Sequence, residues 1–468
     1  MVELPCLAGW QVLPGILTSM KLTFYGGAKM VTGSNYLLEH EVAKIIIDCG
    51  MHQGSSFCEK HNWDPLGYDT KDISAVFVTH AHIDHTGRLP KLIKDGYKGP
   101  VYSTPPTRDA GEFLLADSDH ILAQSAERFK KPLLYDHDDI MKLMRQWEGI
   151  PYHKEIVIGP FTVIFYNAGH IIGSSFLVVS AGGEHIVFSG DLGNSPAPLI
   201  GTKETYDKGT YALMESTYGG RIHEDAPRRK EMLEKVIEET IQRGGTLMIP
   251  SFAMERTQAL LFEIDGLIRT KRIPSIPIFL DSPLAIRLTD VYRKYDEYLA
   301  HTPEHPAGTI EGHTFRFPHL TETMSTDASK SINFVPAPKI IVAGSGMSHA
   351  GRILHHEQRY LSDPKSTLLI IGYQAEGSLG RRLLDGVKSV KIHREVVPVR
   401  ATIRAIGGYS AHADQKQLLE WIAPMKDTLK KIFLVQGEED QAIALGEKIK
   451  STFAIETQIP SLGDTVVL

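Results

Sequence analysis

Cysteine is scarce in this chain: Cys6, Cys49 and Cys58 are the only three in 468 residues, and no two have Cys-x-x-Cys spacing. An odd count without that spacing excludes a disulfide framework and a thiolate zinc site, and points to a reducing, cytoplasmic compartment. No apolar run reaches the roughly 18 residues a membrane-spanning helix needs, so no membrane partner is expected. Positive charge is not in excess either. Fifty Lys and Arg against 56 Asp and Glu leave a formal net charge of −6. A broad basic face is therefore excluded, and any affinity for phosphate has to be local. Low-complexity segments are missing. The opening MVELPCLAGW has no basic start and carries Glu3, unlike a secretory leader. Because Met20 directly precedes the first clear strand, residues 1–19 read as an N-terminal extension.

What is present is an ordinary globular composition, 42% hydrophobic and 23% charged. At about 100–200 residues per domain, the length suggests two or three domains. The first part is strand-rich. KLTFYG (21–26), SNYLLE (34–39), AKIIID (43–48), AVFVTH (75–80) and VYST (101–104) combine branched residues with Gly and Asp punctuation. Four further strands follow between 161 and 217, and helices interrupt between 106 and 148. From about 219 the rhythm changes to strand–loop–helix units, such as TLMIPSFAMERTQALLFEID and KIIVAGSGMSHAGRILHHEQRYL. Alternation of this kind implies a parallel sheet with crossover helices, whose ligands sit beyond the strand ends. The divisions expected are 1–19, 20–210, 211–400 and 401–468, the last two boundaries good to about ten residues.

The chemistry concentrates in THAHIDHTG (79–87), immediately after a strand. His80, His82, Asp84 and His85 fall within six residues. A loop so rich in imidazole is costly to bury without a cation, and the donor mixture suits zinc, manganese or iron. His170 in NAGHIIGSS and Asp191 in FSGDLGN stand at later strand ends. Each alone is a weak signal; their value is joint.

The order HxHxDH, then His, then Asp, each at a strand end, resembles the ligand set of the metallo-β-lactamase superfamily. The resemblance implies an α/β fold, the αββα sandwich. It implies that His80, His82 and His170 hold one metal, that Asp84 and His85 hold a second, and that Asp191 bridges them. The metals implied are two Zn2+, with Mn2+ as a substitute, and no organic cofactor. Asp48 in IIIDCG stands behind the ligands and orients them. Two such cations would ionise a shared water and clamp the oxygens of an in-line displacement.

The superfamily's β-lactamases and thioesterases lack a long strand–helix insertion such as 211–400. With it, the chain from Met20 onward is similar to the β-CASP family of nucleic-acid hydrolases, whose inserted domain carries a mostly parallel sheet. That likeness assigns catalytic roles to Asp84, Glu215 in MESTYGGR and His412 in GYSAHADQ. The last two form a pair in which the imidazole protonates the leaving oxygen. It also assigns substrate phosphates to Ser345 in GSGM, to Ser410 and to Arg381. One position departs. The RNA-cutting branch usually has His where this chain has Gln436, in FLVQGEED, so the second metal site should be weaker and DNA stays open as a substrate. The function expected is a metal-dependent ribonuclease cutting single-stranded RNA, endonucleolytically and also from 5′ ends, in a family whose members often dimerise. The alternatives are a DNA nuclease, a small-ester hydrolase and an inactive RNA-binding subunit.

Overall fold

The computed structural model describes residues 19–54, 56–197, 199–223, 226–300 and 315–468. Apart from Ser19, the expected extension 1–19 lies outside them. Two seven-stranded sheets form a sandwich. The first runs, edge to edge, through 465–467, 21–24, 36–40, 43–47, 75–77, 101–103 and 147–149; the second through 456–458, 431–435, 211–215, 184–188, 175–181, 161–167 and 156–158.

The strands are apolar on both faces, and that dictates four layers. In Ala43–Ile47, Ile45 and Ile47 turn inward to meet Phe165, Phe188 and Phe433 of the other sheet. Ile46 between them turns outward, onto a helical layer that includes Leu89, Leu92 and Leu143. In the second sheet Met214 and Leu434 turn outward onto Leu418, Trp421 and Leu445 of two late helices. Each sheet is thus covered by helices outside and by its partner inside, the expected αββα sandwich.

A third sheet of six strands, all parallel, follows the order 320–322, 278–281, 339–343, 246–250, 367–370, 402–405. Alternate residues again split between its faces: Leu247 and Ile249 pack on one side, Met248 on the other. This is the expected inserted domain. Its boundaries follow from hydrogen bonding. Tyr211–Glu215 pairs with Glu184–Phe188 and Lys431–Val435, inside the sandwich. Thr402–Ala405 pairs with Thr367–Ile370, inside the insertion. The chain therefore leaves the sandwich's paired strands after Glu215 and those of the third sheet after Ala405. Ile171, Ile172 and Leu199 of the sandwich share an apolar cluster with Leu260 and Ile264 of the insertion, which joins the two bodies beside the site.

Candidate metal centre

Strand direction brings the site together. In the second sheet, Phe161–Asn167 and Glu184–Phe188 both run antiparallel to Ser175–Ala181, and Glu184–Phe188 runs parallel to Tyr211–Glu215 and Lys431–Val435. His170, Asp191, Glu215 and Gln436 therefore emerge at one edge. In the first sheet Ala43–Ile47 and Ala75–Phe77 are parallel, and deliver Asp48 and the His80–His85 loop. The loops close tightly: a Cβ on Gly193 would lie 1.7 Å from the Gly169 carbonyl oxygen, and one on Gly50 1.5 Å from that of Asp84. Glycine is required at both, because backbone occupies the space a side chain would need.

His80, His82, His170 and Asp191 each aim one donor atom at a common point, all within 4.8 Å of one another. His82 Nδ1 lies 3.1 Å from His80 Nε2 and 3.3 Å from His170 Nε2. Asp191 Oδ2 lies 3.4 Å from His80 Nε2 and 3.5 Å from His170 Nε2. One ring proton cannot satisfy two facing nitrogens, so this convergence of lone pairs fits a cation. Asp191 Oδ1, buried and without a hydrogen-bond partner, fits the same need. Protonation favours ligation too. Burial holds His82 and His170 well below the usual imidazole range, so both are neutral. Burial opposes ionisation of Asp191, but His85 and His80 outweigh it and keep the carboxylate charged. Partners behind the ligands fix them. His170 Nδ1 lies 3.1 Å from the Ala411 carbonyl, which leaves Nε2 for the metal. Its backbone N–H donates to Ser174 Oγ at 2.9 Å.

His85 is gripped from both ends. Nδ1 lies 2.6 Å from Asp48 Oδ2, and Asp48 also accepts from the Thr79 N–H at 2.8 Å and its hydroxyl at 2.9 Å. Asp48 adopts φ 58°, a left-handed conformation that aspartate tolerates, and this turns its carboxylate under the loop. Nε2 of His85 lies 3.3 Å from Asp191 Oδ1, 3.8 Å from Asp84 Oδ2 and 2.9 Å from the Gln436 side-chain amide. Burial raises the pKa of Asp84.

His412 and Glu215 do meet. Glu215 Oε2 lies 3.1 Å from His412 Nδ1, and Oε1 accepts the Leu192 N–H at 2.6 Å. With Asp191 they form a second group of donors within 4.8 Å. Burial works against the imidazolium, but Glu215 and Asp191 overcome it and push His412 up to about 9. The SAHAD loop is anchored from the insertion: Arg229 donates to Glu263 and to the Gly408 carbonyl, stacks on Tyr409, and Tyr409 donates to Glu263.

The expected phosphate contacts fare differently from one another. Ser410 is half-buried beside His170, in a small enclosed space with Glu255 and Tyr409. Ser345 Oγ closes its own loop, accepting the N–H groups of His349 and Ala350. Arg381 lies on an exposed helix and donates its Nε–H to Asp385 at 3.0 Å.

Three family descriptions match in succession: the metallo-beta-lactamase superfamily over residues 29–218, the Beta-Casp domain over 257–383, and the Zn-dependent metallo-hydrolase RNA specificity domain over 396–460. A Thermus thermophilus protein named Ribonuclease TTHA0252 is 37% identical over 96% of this chain and all of its own length. The chain belongs to the β-CASP family of metallo-β-lactamases. It carries that family's metal-dependent hydrolase fold. An RNase J-like protein of Methanocaldococcus jannaschii is 31% identical, covering 94% of this chain and 98% of its own. Transcription termination factor FttA of Methanosarcina mazei is also 31% identical, over 96% of this chain and 72% of its own. A solved structure from Enterococcus faecalis, of a protein of unknown function, superposes with a TM-score of 0.60 at 15% identity, over 96% of this chain and all of that one.

Some working parts of this β-CASP site carry no sequence signal. Thr79 and Ser174 look like ordinary small polar residues. The Arg229–Glu263–Tyr409 cluster joins residues far apart in the chain.

Proposed function

We propose that this chain is a zinc-dependent ribonuclease that hydrolyses phosphodiester bonds of single-stranded RNA, and that it works in the cytoplasm. The carrying observation is the convergence of His80, His82, His170 and Asp191 next to the His412–Glu215 pair. The match to an RNA specificity domain and the relatives named as ribonucleases support RNA over DNA.

His80, His82, His170 and Asp191 would hold the tight metal. Asp84, His85 and Asp191 would make a weaker second position, because Gln436 replaces an imidazole there. When bound, the metal supplies Lewis acidity that ionises water at neutral pH and polarises the phosphate. The protein's own part is proton handling and position. Asp84 is a partly exposed carboxyl at the rim of the metal position, and receives the proton of the attacking water. Glu215 keeps His412 protonated and holds its Nδ1, so Nε2–H faces the leaving 3′-oxygen and donates to it. The products are a 5′-phosphate and a 3′-hydroxyl.

The test is a size-resolved digest of matched RNA and DNA oligonucleotides by metal-replete protein. RNA should be cut, and chelation or Asp191→Asn should abolish cutting. Intact RNA with fully metallated protein would overturn the reading; faster cutting of DNA would replace its substrate.

A further inference from the structure

Among the described residues the Arg256 guanidinium forms no ion pair, and its Nε is buried without a hydrogen-bond partner. Met254, Glu255 and Arg256 form a γ-turn, with Glu255 at φ 67° and ψ −64° and the Arg256 N–H donating to the Met254 carbonyl at 2.9 Å. This positive-φ form is rare and strained, and such strain persists where surrounding structure holds it for a use. Glu255 enters the enclosed space shared with His170, Ser410 and Ala411. Arg256 lies over the ring of Phe252, its guanidinium carbon 5.0 Å from the centroid.

Phe252 is a fixed platform. A Cβ on Gly346 would fall 2.5 Å from its ring, so that position is cleared for it, and Gly372 lies against the same ring. Gly346 belongs to the 344–347 loop. Arg256 is thereby held beside that loop, and its Cδ and Nε lie within 3.7 Å of where a Cβ on Gly372 would stand. Its Nε is buried without a hydrogen-bond partner. Among the described residues Arg256 forms no ion pair, whereas Arg381 is paired with Asp385. A stacked guanidinium with an unsatisfied edge matches a phosphate, whose two oxygens accept its forked N–H groups.

We propose that Arg256, stacked on Phe252 beside the 344–347 loop, grips a backbone phosphate of the bound strand. The inference rests on the ribonuclease reading and adds a substrate contact to it.

The test is fluorescence anisotropy with a labelled single-stranded RNA, using metal-loaded protein in a His412→Ala background that stops cutting. Arg256→Gln should weaken binding about tenfold to a hundredfold, as expected for losing a charged hydrogen-bond pair. It should also flatten the slope of log Kd against log salt by about 0.7, the share of one phosphate on a single strand. Arg381→Gln should leave that slope alone. In a scan of single methylphosphonate linkages, one position should penalise the parent protein but not Arg256→Gln. An unchanged slope, or identical penalties at every linkage, overturns the proposal. Should Arg256→Gln fail to fold, Arg256→Lys serves: it should keep the slope but bind more weakly, and binding equal to the parent overturns the proposal. If metal-loaded wild-type protein neither binds nor cuts RNA, the ribonuclease reading itself fails. If it does both and Arg256→Gln matches it, only this inference falls.

Discussion

The side-chain amide of Gln436 lies 2.9 Å from Nε2 of His85, the ring atom that a second metal would need. The backbone pins it there: Gln436 sits at φ 47°, donates its N–H to the Gly27 carbonyl at 2.7 Å and accepts the Thr217 hydroxyl at 2.8 Å. A neutral amide is a poorer ligand than imidazole. After dialysis the wild type should retain one tightly held zinc, and Gln436→His should retain nearly two, with the second site tightened on the order of tenfold or more. Native mass spectrometry counts the ions directly. Two equally tight zincs in the wild type would refute this.

The Glu215–His412 contact makes a kinetic prediction. Glu215→Gln removes the charge that sustains the imidazolium, so kcat on RNA should fall by about a hundredfold or more, the usual worth of a general acid. KM should hardly change. An activated diester with a nitrophenolate leaving group needs no proton, so its hydrolysis should fall far less. Equal losses on both substrates would remove His412 from the proton-donor role.

Glu357 gives a pH-dependent stability. It is buried beneath the 344–349 loop, where the Ser348 hydroxyl donates to one oxygen and the other has no partner. Burial pushes its carboxyl up from 4.5 to about 8. The folded state therefore keeps a proton that the unfolded chain releases above its own value. This contribution is fully present below about 4.5 and is lost as pH rises toward 8. Melting temperature should thus decline more steeply between these limits in the wild type than in Glu357→Gln. Parallel melting curves would contradict it.

Glu263 holds three groups at once, Arg229, Tyr409 and through Arg229 the Gly408 carbonyl, in a region where both charged side chains are under a tenth exposed. Glu263→Gln should cost roughly 3 kcal/mol or more, because it strands a buried guanidinium. Urea unfolding measures this. Cutting of RNA should weaken as well, since the same cluster steadies the loop bearing His412. Stability within 0.5 kcal/mol of wild type, a span typical of inconsequential surface changes, would show the cluster to be dispensable.

The parts of this protein that can be read in one dimension are those written in local patterns. Strands buried on both faces appear as short apolar runs ending in Gly or Asp, so Ala43–Ile47, Ser175–Ala181 and Lys339–Ala343 were all legible. His80, His82, Asp84 and His85 announce themselves by crowding. His170 and Asp191 became legible only jointly, through family resemblance. Non-local pairing was not legible. Tyr211–Glu215 and Lys431–Val435 are neighbours across the whole insertion, and nothing within either strand says so. Arg381 and Arg256 are equally plain arginines in sequence; only folding shows one beside Asp385 and the other stacked on Phe252.

Lys431–Val435 inserts beside Tyr211–Glu215, and Thr465–Val467 closes the first sheet against Lys21–Phe24. His412 likewise reaches Glu215 from beyond the insertion. A half-synthesised polypeptide emerging from the ribosome therefore possesses the histidine loop but neither His412 nor the strand Lys431–Val435. Cutting is expected only once the late segments have threaded back into the earlier ones.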